Sequence, residues 1–104
     1  MAKFLFAYRG GAMPEGEAAQ ASVMAAWGTW FETIGGGVLD PGDPSAKART
    51  VSADGAVGPE SPASLSGYTV IEADNLDAAV GFARTCPVLA GGASIEVIET
   101  FPAM

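Results

Sequence analysis

Leu65-Ser66-Gly67-Tyr68-Thr69-Val70-Ile71-Glu72-Ala73-Asp74-Asn75-Leu76-Asp77-Ala78-Ala79-Val80-Gly81-Phe82-Ala83-Arg84-Thr85-Cys86-Pro87 reads as a strand, a capped turn and an amphipathic helix in direct succession. Residues 68–73 are rich in β-branched and aromatic side chains, which suit a pleated, largely buried surface. Alternation puts Tyr68, Val70 and Glu72 on one side and Thr69, Ile71 and Ala73 on the other. Both sides are substantially apolar, so the strand wants cover on both faces. Asp74 stands at an N-cap position, with Asp77 at the third helical position as an imperfect capping box. Leu76, Ala79, Val80 and Ala83 then recur at helical spacing as one apolar stripe. Pro87 lacks an amide hydrogen and biases Cys86 away from helical geometry, so the helix is predicted to stop there.

Outside this unit, residues 4–8 read as a first strand, with Phe4, Phe6 and Tyr8 on one face. Pro14, Glu15 and Glu17 suit a helix start, proline being tolerated early and carboxylates favoured near the positive dipole end. Val23, Trp27, Trp30, Phe31 and Ile34 mark the buried face of that helix, which Gly35-Gly36-Gly37 ends. Val38-Leu39 opens a short strand that Asp40-Pro41-Gly42-Asp43-Pro44 interrupts. Residues 49–53 can form a further strand before the Asp54-Gly55 turn, and 58–66 read as a loop. Residues 95–99 form the last strand. The order strand, helix, strand (with a hairpin), strand, helix, strand is the split βαβ pattern of a ferredoxin-like α+β fold, as one domain over residues 1–104. Strands 1 and 3 are then expected side by side and parallel. Two helices cover one face of a four-stranded sheet, and the other face predicts a homodimer.

The chain has 104 residues, enough to bury roughly 65% of its unfolded surface. Five basic and twelve acidic residues give a net charge of −7, which argues against nucleic acid or an anionic membrane as partner. A single cysteine excludes an internal disulfide, and no signal-peptide core or membrane-length apolar run is visible. A cytoplasmic location is the expectation.

Several blocks together resemble the YCII-related proteins, also called the DGPF family. They are Lys3-Phe4-Leu5-Phe6-Ala7-Tyr8, the helix with Trp27 and Trp30, residues 65–73, Leu76-Asp77-Ala78-Ala79, Cys86-Pro87 and Gly91-Gly92-Ala93-Ser94-Ile95-Glu96-Val97. The resemblance spans nearly the whole chain. It implies a ferredoxin-like subunit that dimerises into an α/β-barrel arrangement. Many members have no established activity, and some are encoded beside alternative sigma factors. The Asp-Gly-Pro-Phe motif is absent here: Asp54-Gly55 comes early and Gly58-Pro59-Glu60 stands roughly in its place. Some members have a proposed His–Asp pair, and this chain has no histidine, so that chemistry does not carry over.

The candidate site residues are Arg9, Tyr8, Tyr68, Glu72, Asp40 and Trp27. Arg9 ends the first strand beside the Gly10-Gly11 amides and offers a cationic corner, which parallel pairing would place near Glu72. Tyr8 and Tyr68 supply hydroxyl donors, Asp40 or Glu72 a base, and Trp27 an aromatic wall. An ordinary Arg9–Glu72 ion pair is the structural alternative. Without histidine the scattered carboxylates offer no metal site, and no cofactor is expected. Cys86 sits at a helix end whose negative dipole raises a thiol pKa, so it reads as a packed cysteine. Gly10-Gly11 lacks the lysine and spacing of a phosphate loop.

Two functions remain open from the residues. One is a homodimeric domain with a small-molecule pocket for a partly aromatic or anionic metabolite, acting as an enzyme without a cofactor. The other is a non-catalytic regulatory or interaction protein associated with an alternative sigma factor.

Overall fold

The middle of the sheet is β1 (Ala2–Arg9), whose alternating side chains leave Phe4, Phe6 and Tyr8 buried on one side. The computed structural model describes residues 2–103. Helix α1 (Glu17–Ile34) follows, then β2 (Val38–Asp40) and the short hairpin of β3 (Lys47–Ala48) and β4 (Ser61–Pro62). The chain continues with β5 (Gly67–Ala73), α2 (Leu76–Ala83) and β6 (Ser94–Glu99). The main sheet has the order β2-β5-β1-β6, with every pair antiparallel. Each helix therefore links two strands that have one other strand between them, which is the split connection expected.

The expected parallel pairing of the first and third strands is corrected. β1 and β5 run antiparallel, with Lys3 opposite Glu72 and Tyr8 opposite Gly67. A helix between β5 and β6 must cross over β1, and that crossover returns both outer partners of β1 in the same direction, opposed to it.

Both helices lie over the face that carries Phe4, Phe6, Tyr8, Ile71 and Ala73. From α1, Trp30 buries its ring against Phe6 at 6.1 Å and against Phe31 at 5.2 Å. Its Nε1 donates to the Phe82 carbonyl at 2.9 Å and so ties α1 to α2. Gly35, at φ 66°, ends α1 with its amide bonded to the Phe31 carbonyl. The cap of α2 is Asn75 and not Asp74: Asn75 Oδ1 accepts from the Ala78 amide at 2.8 Å. Asp77 thus falls in the first turn but outside any capping box. The helix also stops before Cys86, and residues 87–91 make a 3-10 turn instead. Ala79 and Ala83 face the core, whereas Leu76 and Val80 of the expected stripe remain exposed.

Two further expectations are corrected between β2 and β5. Residues 49–53 form no strand; Val51 makes only an isolated bridge to Val57 around the Asp54-Gly55 turn. The expected loop at 58–66 contributes β4, because pairing with β3 supplies partners for a stretch with little strand propensity of its own.

The second sheet face stays open. Lys3, Leu5, Ala7 and Arg9 of β1 lie there with Tyr68, Val70 and Glu72 of β5 and Ser94, Glu96 and Ile98 of β6. Leu5, Val70 and Ile98 form one half-exposed apolar row across three strands. The chain is flat, measuring 44 × 40 × 18 Å, and its radius of gyration is 15.3 Å against about 13 Å for a compact domain of this length. It exposes 6901 Å² where a monomer of this mass leaves about 5,400 Å². The isolated chain thus buries about 55% of its unfolded surface, short of the roughly 65% that its length predicts.

Candidate functional site

Asp40 closes β2 with a turn in which its Oδ1 accepts from the Gly42 amide at 2.8 Å. Thr69 of β5 donates to the Pro41 carbonyl at 2.9 Å and pins that turn to the sheet. Gly42 packs so close to β5 that a Cβ would stand 1.6 Å from the Tyr68 carbonyl oxygen, and its φ is +79°. Glycine is the residue that satisfies both conditions. This turn sets Asp40 Oδ2 3.4 Å from the Tyr68 hydroxyl on the open face. The Asp40 carboxylate raises the Tyr68 pKa above its ordinary value, and Asp43 adds to the effect. Tyr68 is therefore a neutral hydrogen-bond donor at physiological pH.

Register places Tyr68 and Glu96 on either side of Ala7, which is 1% exposed and forms a floor between them. Arg9 lies two residues further along the same face. Its Nη2 pairs with Glu96 Oε1 at 3.1 Å, and both side chains are about half exposed. One end of the open face thus holds a phenol with the Asp40 carboxylate on one side of Ala7 and the Arg9–Glu96 ion pair on the other.

The six candidate residues separate across the sheet. Tyr68 and Asp40 come together at 3.4 Å, while Arg9 shares their face but turns to Glu96 on the other side of β1. Glu72 does not: it lies opposite Lys3, six residues along β1 from Arg9, or roughly 20 Å away. The expected Arg9–Glu72 pair is replaced by Arg9–Glu96. Tyr8 points to the helix side, where its hydroxyl donates to Thr69 Oγ1 at 2.6 Å. It meets the edge of the half-buried Trp27 at 5.7 Å, so neither residue faces Arg9.

The residues that the sequence reading missed are Glu96 and Thr69. Alternation around Ile95 and Val97 carries the signal for Glu96, and the one hydroxyl on the buried side of β5 carries it for Thr69. A buried polar chain runs from Cys86 Sγ, 3.9 Å from the Tyr8 hydroxyl, through Thr69 to Pro41. Burial raises the pKa of Tyr8, and it does the same to Cys86. These groups stay protonated and serve as core hydrogen-bond partners.

Among the described residues no three His, Cys, Asp or Glu side chains converge as a metal-holding group. No helix is long and apolar enough to cross a membrane. Two grooves lie outside this end of the open face: one of about 890 Å³ between α1 and α2, and one of about 500 Å³ between α2 and β6. Neither is lined by Arg9 or Tyr68.

The chain is similar in structure to 5-chloro-2-hydroxyhydroquinone dehydrochlorinase (TftG) from Burkholderia phenoliruptrix AC1100, solved in complex with 2,5-dihydroxybenzoquinone. The TM-score is 0.54 at 20% identity, covering 96% of this chain and 92% of that one. That likeness establishes the fold. No protein-family profile and no curated protein sequence matches this chain.

Proposed function

We propose that this protein is a YCII-related, homodimeric enzyme that works without a cofactor on a small hydroxylated or anionic ring. It acts as one ferredoxin-like domain over residues 1–104, in a dimeric α/β-barrel arrangement, in the cytoplasm. The observation that carries this reading is the Tyr68 hydroxyl held 3.4 Å from Asp40 Oδ2 on an uncovered sheet face. In this reading the neutral phenol donates a proton or hydrogen bond, and Asp40 accepts a proton from the substrate. The Arg9 guanidinium stabilises the resulting anion with charge-assisted hydrogen bonds. Proton transfer of this kind supports eliminations and tautomerisations of hydroxylated rings. The structural neighbour, by its name a dehydrochlorinase of a chlorinated hydroxyquinol, performs chemistry in that class.

The homodimer is part of the proposal. The row of Leu5, Val70 and Ile98 and the surplus exposed area both favour a second copy across the open face. Such a copy would also wall the Tyr68 end, which has no enclosing element in a single chain. Light scattering should give the two-chain mass at micromolar concentration, and a stable species near 10.5 kDa would overturn the dimer.

A panel of di- and trihydroxybenzenes and hydroxyquinones, screened by thermal shift and calorimetry, tests the site. Binding should raise Tm by mass action. Tyr68→Phe and Asp40→Asn should each weaken it about tenfold or more while leaving the free protein's Tm within a few degrees. A proven dimer that binds none of these rings refutes the proposed substrate class.

A further inference from the structure

The groove between α2 and β6 is apolar and unfilled. Leu76, Val80 and Leu89 rise along it, 42%, 39% and 41% exposed, with Ile95 and Val97 as its floor and Arg84 and Glu96 as its charged lining. β6 is an outer strand of the sheet; it has no lysine or proline, and its charged residues are Glu96 and Glu99. Lysine and proline are common devices for keeping such an edge from pairing. Two residues beyond its end stands Phe101, 84% exposed and the most exposed large apolar side chain among the described residues.

Phe101 does not line the groove on its own chain. The Thr100 amide and hydroxyl both donate to the Lys3 carbonyl, at 3.0 and 2.8 Å, and carry the chain straight past β1. Val97, the nearer floor residue, stands four residues before Phe101, roughly 13 Å of extended chain, and Ile95 six, roughly 20 Å.

We propose that the groove is filled by Phe101 of a second copy of this chain, and reciprocally, as a clasp along the β6 edge. This rests on the homodimer proposed above. A two-fold axis lying between the opposed open faces and running across the strands keeps β6 beside β6 of the second copy, antiparallel. With the axis at Val97 or Ile98, Phe101 of one copy falls opposite Ala93 or Ile95 of the other, on the helix side where the groove opens. Glu99 then falls opposite Ile95 or Val97, next to Arg84. Neither Arg84 nor Glu99 has an ion pair among the described residues, so the contact joins complementary charges as well as apolar surfaces.

The test is the dimer dissociation constant of the full chain, measured by sedimentation with circular dichroism as the control for folding. Phe101→Asp and Leu89→Glu, both at exposed positions, should each weaken dimerisation about tenfold or more. Arg84→Glu and Glu99→Arg should each weaken it, and the double change should restore most of the loss. Val70→Arg, on the open face, disrupts the dimer independently of the clasp. If Val70→Arg dissociates the protein while Phe101→Asp and Leu89→Glu leave the constant within twofold, the clasp is wrong and the dimer stands. A wild-type monomer at high micromolar concentration removes both.

Discussion

The Tyr8 hydroxyl donates a 2.6 Å hydrogen bond to Thr69 Oγ1, across the β1–β5 pair on the side covered by the helices. Thr69 donates onward to the Pro41 carbonyl at 2.9 Å. A bond inside the core therefore holds the turn that presents Asp40 to Tyr68 on the opposite face.

This arrangement predicts alkaline sensitivity. Burial raises the pKa of Tyr8, and also that of Cys86, above ordinary values of about 10 and about 8.5. Both groups hold their protons more tightly folded than unfolded, so above the unfolded values the native state carries more protons and stability falls as pH rises. The stabilisation is fully present below about pH 8.5. Tm should decline above that pH, and Tyr8→Phe should flatten the part above about pH 10. The same change should cost roughly 1–2 kcal/mol at neutral pH, for the lost bond to Thr69. An unaltered alkaline profile in Tyr8→Phe would show that the phenol does not contribute.

The cap of α2 gives a second test. Asn75 accepts from the Ala78 amide, whereas Asp74 lies one residue outside the cap. Asn75→Ala should cost about 1 kcal/mol, and Asp74→Ala should stay within about 0.5 kcal/mol. Chemical denaturation of both variants decides it. Equal losses, or the larger loss at Asp74, would contradict the observed cap.

The central strands and both helices were legible because their side-chain periods are strong. Phe4, Phe6 and Tyr8 alternate on β1, and Trp27, Trp30 and Phe31 recur at helical spacing on α1. The same alternation already places Tyr8 with the core and Arg9 on the other face; grouping the two follows their adjacency in sequence, which a strand separates. Glu72 was misplaced because strand direction comes from the crossover of α2, not from any residue near Arg9. Asp74 and Asn75 are comparable caps by residue type, and only the end of β5 at Ala73 decides between them. β3 and β4 were illegible because each is two residues long and exists through its pairing partner.

Gly42 supplies a third prediction. Alanine there would place its Cβ 1.6 Å from the Tyr68 carbonyl oxygen, at φ +79°. Left-handed backbone alone costs roughly 1–2 kcal/mol, and the overlap forces the turn off β5. Gly42→Ala should therefore destabilise by roughly 2–4 kcal/mol. It should also move Asp40 from Tyr68 and let the phenol titrate closer to about pH 10. Gly55→Ala is the control, since φ there is +90° but the space around it is open. Its loss should be the smaller of the two. Comparable losses at both positions would mean that the contact with Tyr68 is unimportant.

Arg9 separates a binding corner from a structural one. Its pair with Glu96 is exposed on both sides, 47% and 57%, and such pairs contribute about 0–1 kcal/mol. Arg9→Met keeps the apolar stem over Ala7 and removes the charge. Denaturation should show a change below about 1 kcal/mol, and Glu96→Gln should behave alike. Glu72→Gln should leave ring binding untouched, because Glu72 sits at the far end of β5 beside Lys3. Affinity for an anionic ring should fall about tenfold to a hundredfold in Arg9→Met, the loss of a charge-assisted hydrogen bond of roughly 1.5–3 kcal/mol. The paired measurement is melting and calorimetric affinity on one protein preparation. A loss of several kcal/mol with unchanged affinity would make Arg9 a structural residue and move the site away from this end of the sheet.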